Sequence, residues 1–107
     1  MRLWVLAAAV LLPGAAVAQG GNTVGGDAAA GHALAQTWCA SCHAIEARPT
    51  AASDQAPSFA VIANRAGVTV DGLSAFLAAP HGRMPDLSLS RANIENVVAY
   101  LLSLKGR

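Results

Sequence analysis

The chain has 107 residues, with seven basic and six acidic side chains. This length is too short for more than one ordinary domain. Because basic and acidic residues are nearly equal in number, the sequence shows no basic patch of the kind that nucleic-acid-binding proteins have. It also predicts no partner that is attracted by strong opposite charge.

The N-terminal segment has the features of a secretory signal peptide. Arg2 precedes an apolar run from Leu3 to Leu12, and Ala16-Val17-Ala18 fits the small-residue pattern of a cleavage site. The apolar run is shorter than the roughly 20 residues that a membrane-spanning helix needs. We therefore predict that residues 1–18 are a signal peptide cleaved after Ala18, which gives a periplasmic protein without stable membrane insertion. An uncleaved anchor is the alternative.

The mature chain is predicted to start with a flexible, glycine-rich segment, 19–26, followed by a single domain over residues 27–107. Asp27 is a suitable N-cap for a helix from Ala28 to Ala40. Gly31 lies inside that helix, where glycine costs up to about 1 kcal/mol relative to alanine. Either another helix approaches closely at Gly31 or the glycine is simply tolerated.

The sequence Cys39-Ala40-Ser41-Cys42-His43 is the attachment signature of c-type haem. Each thiol would add to one haem vinyl group, and His43 would ligate the iron. A thioredoxin-like pair is expected near a βαβ pattern, which is not visible here. Structural zinc takes four ligands, and the chain has no other cysteine. A disulfide, which an exported protein permits, does not explain the adjacent histidine. We therefore predict one covalently bound haem c.

Residues 44–56 show no helical period and are predicted to form a loop along one edge of the haem. Three further helices are predicted, namely Phe59–Arg65 with Ser58 as its cap, a helix from Asp71 as its cap through Ala79, and a last helix that Ser90 opens. The last helix has an apolar face at helical spacing, formed by Ile94, Val97, Val98, Leu101 and Leu102. The predicted fold is all-α, with about four helices wrapped around the haem.

Met84 is the predicted second axial ligand of the iron. It lies in a proline-flanked loop and is the only methionine that remains after signal cleavage. A His/Met ligand pair raises the reduction potential of haem iron. His81, in the same loop, is the alternative ligand, and a core-filling role is the alternative for Met84. Because two axial ligands fill both positions, they favour electron transfer over oxygen activation.

From Gly31 to Tyr100 the sequence resembles the bacterial class I c-type cytochromes. The matching features are Gly31, the cysteine–histidine motif, Ala56-Pro57, Gly82-Arg83-Met84-Pro85 and the terminal helix with Tyr100. The resemblance implies that the first and last helices cross near Gly31 and Tyr100. It also implies that the Pro57 carbonyl accepts a hydrogen bond from His43. The family often has a large aromatic residue where this chain has Ala35, and Trp38 is expected to fill that space.

These features together predict a monomeric periplasmic electron carrier and not an enzyme. Cys39 and Cys42 would hold the haem, and His43 and Met84 would ligate its iron. Redox partner proteins would dock transiently at the exposed haem edge, beside the Gly82–Pro85 loop. The alternatives are a dedicated haem subunit of a larger dehydrogenase or oxidase complex, and a haem enzyme or gas sensor with an open iron position.

Overall fold

The computed structural model describes residues 14, 24–48, 56–79 and 82–107. This part of the chain excludes the predicted signal peptide (except Gly14) with its cleavage site, residues 19–23, residues 49–55 of the predicted loop, Pro80 and His81. The described residues form four helices: α1 (Ala28–Trp38), α2 (Phe59–Ala63), α3 (Val70–Ala78) and α4 (Arg91–Ser103). The predicted all-α fold is confirmed. Within the described ranges, no helix is both long enough and apolar enough to cross a membrane.

Three of the helices begin at the capping residues that the sequence predicts. The Asp27 carboxylate accepts a hydrogen bond from the Ala29 amide at 2.8 Å. The Ser58 hydroxyl accepts from the Val61 amide at 3.2 Å, and the Ser90 hydroxyl accepts from the Asn93 amide at 3.1 Å. Each cap satisfies an amide that has no acceptor within its own helix.

The start of α3 differs from the prediction. The helix begins at Val70, and Thr69 is the N-cap, because its hydroxyl accepts from the Gly72 amide at 3.0 Å. The predicted cap, Asp71, lies instead in the first turn, where a carboxylate is stabilised by the positive end of the helix dipole. Because Thr69 caps the helix, Val70 forms its first residue.

The other three differences concern helix ends. Helix α3, predicted to run through Ala79, ends at Ala78, with Ala79 as its C-cap. Helix α1 ends at Trp38, with Cys39 as its C-cap, and not at Ala40. Helix α2 ends at Ala63 instead of Arg65, with Asn64 as its C-cap.

Helix α4 contacts all three other helices, and its contact with α1 is very close at Gly31. A Cβ atom at Gly31 would lie 1.9 Å from the backbone oxygen of Asn96 and 2.9 Å from Cβ of Tyr100. The close-approach interpretation of Gly31 is therefore confirmed. The Asn96 side chain strengthens the crossing, since its Oδ1 accepts from the Asp27 amide at 2.8 Å.

Trp38 does not fill the space beside Ala35. Ala35 is fully buried, whereas 55% of Trp38 is exposed at the end of α1. The prediction for Trp38 is wrong, because α1 and α4 pack so closely that an alanine fills the interface without an aromatic ring.

The buried face of α4 agrees with the predicted pattern except at its end. Ile94, Val97, Val98 and Leu101 are buried, and so is Tyr100, whereas Leu102 is only half-buried. One core cluster joins the end of α1, the segment after it, α2 and α4; its buried members are Ala35, Cys39, Ile45, Phe59, Ala63, Tyr100, Leu101 and Leu104. The cluster includes Cys39, the first residue of the cysteine–histidine motif, and Ile45, which lies just after the motif.

Candidate functional site

The cysteine–histidine motif forms a compact turn directly after α1. The Cys39 amide donates to the Ala35 carbonyl at 2.9 Å, which continues the helix by one bond. The Cys39 carbonyl then accepts from the amides of Cys42, at 3.1 Å, and His43, at 2.9 Å. Both sulfurs and the imidazole are thus carried by one backbone turn. No disulfide joins Cys39 and Cys42, so the structure gives no support to a structural disulfide.

The environment of Cys39 also differs from that of a redox-active cysteine pair. Burial raises the pKa of the Cys39 thiol, and its position at the C-terminal end of α1 disfavours a thiolate through the helix dipole. Reactive pairs instead have a thiol whose pKa is lowered, often at a helix N-terminus. In the described part of the chain, no three histidine, cysteine or acidic side chains are grouped as a metal site would require. The thioredoxin-like and zinc interpretations therefore lack structural support.

The imidazole of His43 is held by the segment before α2. Its Nδ1–H donates to the Pro57 carbonyl at 2.6 Å, as the resemblance implied. Beside this bond, the Phe59 amide donates to the Ala44 carbonyl at 2.9 Å. A hydrogen bond at Nδ1 fixes the tautomer in which Nε2 is unprotonated and makes Nε2 a more basic metal ligand.

The segment that follows the motif is fixed to two helices by contacts that the sequence did not predict. The Tyr100 hydroxyl donates to the Ile45 carbonyl at 2.6 Å, across 55 residues of sequence. His32 Nε2 lies 2.7 Å from Glu46 Oε1. His32 is therefore paired and half-buried. No short-range pattern predicts such contacts, because each joins residues far apart in the chain.

The Tyr100 hydroxyl is well suited to a permanent structural bond. Burial raises the pKa of Tyr100, and the Glu46 carboxylate raises it further, against a smaller opposing effect of Arg107. The phenol therefore stays protonated at neutral pH and continues to donate to Ile45.

Replacement of Tyr100 by phenylalanine is expected to lower the free energy of unfolding by about 1–3 kcal/mol, because the buried Ile45 carbonyl loses its donor. Denaturant titration of the folded holoprotein measures this change. Thr37→Val is the matched control, since the hydroxyl it removes bonds to Ala33 within an exposed part of α1, and it should cost less than about 0.5 kcal/mol. Equal losses in the two variants would contradict a structural role for the Tyr100–Ile45 bond.

Met84 lies half-buried in the segment between α3 and α4. Gly82 there has a positive φ of 45°, and Asp86 Oδ1 accepts from the Ser88 amide at 2.9 Å. These local features give the segment a defined shape. Helices α1 and α3 both pack on α4, so one helix supports both the motif and the Met84 segment. That His43 and Met84 ligate the same iron stays a prediction.

The donor groups in the described residues fit a c-type haem. The two thiols and the His43 imidazole, with Nε2 available, lie in one backbone turn. The Met84 thioether lies in a loop of defined conformation. Large apolar side chains are also exposed, namely Trp38, Val61 and Phe76.

Comparison with known proteins gives two matches. Residues 26–101 match the profile of a family described as "Cytochrome C oxidase, cbb3-type, subunit III". The chain is also 39% identical, over 84 residues, to a protein of Bradyrhizobium diazoefficiens named "Cytochrome c-552". That alignment covers 78% of this chain and 81% of the relative. No solved structure matches the sequence significantly.

Proposed function

This chain belongs to the c-type cytochromes, a family of electron-transfer proteins with covalently bound haem c, and from that premise we propose that it carries single electrons between partner proteins in the periplasm. Cys39 and Cys42 would hold the haem through thioether bonds. His43 and Met84 would ligate its iron.

The observation that best supports this proposal is the bond between His43 and Pro57. The histidine of the haem motif donates from Nδ1 to a backbone carbonyl at 2.6 Å, which leaves Nε2 as the ligating atom. The same bond fixes the tautomer of the imidazole. A fixed ligand reduces the rearrangement that accompanies electron transfer, as a carrier requires.

The bound haem supplies a one-electron couple between ferric and ferrous iron. The thioether of Met84 is a soft ligand that favours the ferrous state and so raises the reduction potential. A haem iron ligated by both His43 and Met84 would have no open site for oxygen or peroxide, so the group would supply electron transfer without bond formation at the metal.

The proposed localisation depends on the N-terminal segment. Residues 1–18 have the signal-peptide pattern described above, and cleavage after Ala18 would release a domain over residues 27–107 behind the short segment 19–26. The mature protein would act as a monomer in the periplasm.

The proposed partners dock briefly at the haem edge. The proposed contact surface is the segment that contains Gly82, Met84 and Pro85. Gly82 and Pro85 are exposed. The small contact area of weak redox encounters suits a carrier that must release its partner after each transfer.

Replacement of Met84 by alanine tests the proposed ligation. The wild-type ferric protein is expected to show a low-spin spectrum with the weak far-red band that sulfur ligation gives. Met84→Ala should abolish that band and lower the midpoint potential. His81→Ala is the control in the same loop, and it should preserve both the band and the potential.

Other outcomes would overturn the proposal in distinct ways. A low-spin wild-type spectrum without the band, altered by His81→Ala and not by Met84→Ala, would assign the ligand to His81. A high-spin spectrum, with rapid carbon monoxide binding by the ferrous protein, would indicate an open iron position and an enzyme or sensor.

A dedicated subunit of a larger complex is the second candidate function, and the description of the matched family, a cbb3-type oxidase subunit, favours it specifically. The protein would then stay bound to one oxidase or dehydrogenase. Purification from membranes and periplasm at high salt separates the two cases. Retention in a stable complex supports the subunit, and recovery as a free monomer that reduces or oxidises added partners supports the carrier.

A further inference from the structure

We infer that Phe59 is a positioning residue that sets the orientation of the His43 imidazole plane. This inference rests on the proposed function, because it concerns the plane in which His43 presents Nε2 to the iron. None of the features described so far assigns a role in the site to Phe59.

The first observation is the contact between the two rings. Their centroids are 5.3 Å apart and their planes are tilted by 59°, and Phe59 is only 4% exposed. The hydrogen bond from Nδ1 to Pro57 fixes the position of one imidazole atom. Because a hydrogen bond tolerates some change of angle, the side-chain torsions of His43 can still vary while this bond is kept. A flat neighbour on one side restricts this remaining motion.

The second observation is that Phe59 is itself held in place. Its amide donates to the Ala44 carbonyl at 2.9 Å, so its backbone is tied to the residue after His43. Its ring contacts Tyr100, with centroids 6.3 Å apart and planes tilted by 48°. Both ring pairs have the tilted geometry that aromatic side chains prefer.

The third observation is that Tyr100 is fixed at its far end. Its hydroxyl donates to the Ile45 carbonyl at 2.6 Å in the buried core. The rings of His43, Phe59 and Tyr100 therefore form a row that is anchored to backbone at both ends. Because the Phe59 ring packs against the anchored Tyr100 ring, it restricts the orientation of the imidazole. Residues that contact metal ligands often orient them in this way.

The plane of an axial imidazole determines which iron orbitals it overlaps, and so how unpaired spin is distributed over a ferric haem. This distribution appears directly in the proton NMR shifts of the four haem methyl groups. The methyl shifts therefore report how the axial ligands are oriented, which a change in stability alone would not alter.

The experiment compares the ferric holoprotein with Phe59→Leu and Phe59→Met, which remove the flat ring but keep most of its volume. Both variants are expected to change the spread and order of the haem methyl shifts. Phe59→Tyr keeps the ring and should restore the wild-type pattern. Val98→Ala is the control, because Val98 is fully buried in α4 but is not a member of the cluster that contains Phe59, and it should leave the order of the shifts unchanged.

The result separates this inference from the proposed function. If the wild type shows the far-red band and either ring-removing variant keeps the wild-type methyl pattern, the role of Phe59 is overturned and the proposed ligation is not. The use of two ring-removing variants means that failure of one to fold leaves the other to decide. If the wild type lacks the band, the proposed ligation fails, whatever the Phe59 variants show.

Discussion

Replacement of Gly31 by alanine is expected to destabilise the folded protein by about 3 kcal/mol or more, the upper range of overpacking effects. The new Cβ would lie 1.9 Å from the Asn96 carbonyl oxygen and 2.5 Å from its carbon. Both atoms belong to the backbone of α4, so no side-chain rotation relieves the clash. The two helices must separate, and the interface around the fully buried Ala35 opens with them.

The sign of this effect is informative, because helix propensity alone predicts the opposite. Alanine in place of glycine within a helix should stabilise it by about 1 kcal/mol. Denaturant titration of the holoprotein measures the balance of the two effects. Gly25→Ala is the control, since a Cβ there would meet nothing closer than Glu95 Oε2 at 4.0 Å, and it should change stability by less than about 0.5 kcal/mol. A stabilised Gly31→Ala variant would contradict the close helix crossing.

Much of the fold could be predicted because its signals are local. The caps Asp27, Ser58 and Ser90 act on amides two or three residues away, and the apolar face of α4 repeats at helical spacing. The wrong start of α3 shows the limit of such reasoning. Thr69 and Asp71 are both capping residues, two positions apart, and only the observed hydrogen bond decides between them.

The haem motif could also be predicted, because the chemistry of attachment fixes its spacing within five residues. The contacts that hold the motif in place could not be predicted, since they join segments that are distant in sequence. The Tyr100–Ile45 bond and the His43–Phe59 ring contact depend on how α4 and α2 pack. The error for Trp38 has the same origin, since helix separation at Ala35 is a tertiary property that no short-range pattern encodes.

Replacement of both Cys39 and Cys42 by alanine is expected to abolish covalent haem retention completely. Haem staining after denaturing electrophoresis, together with the mass of the intact chain, measures this loss. Each single variant keeps one thiol and should therefore retain haem through one thioether bond. Ser41→Ala, between the two cysteines, is the control and should retain haem like the wild type. Haem that remains on the double variant after denaturation would contradict attachment at these residues.

The two single variants are not expected to be equivalent, and their difference tests how the motif is embedded. Cys39 is 7% exposed and belongs to the core cluster with Phe59 and Tyr100, whereas Cys42 is only half-buried. Cys39→Ala removes packing as well as a thioether bond, so it should give the lower free energy of unfolding of the two. Equal stabilities would mean that the haem bond alone matters at both positions. A less stable Cys39→Ala variant would show that the first cysteine joins the haem to the same core that holds His43.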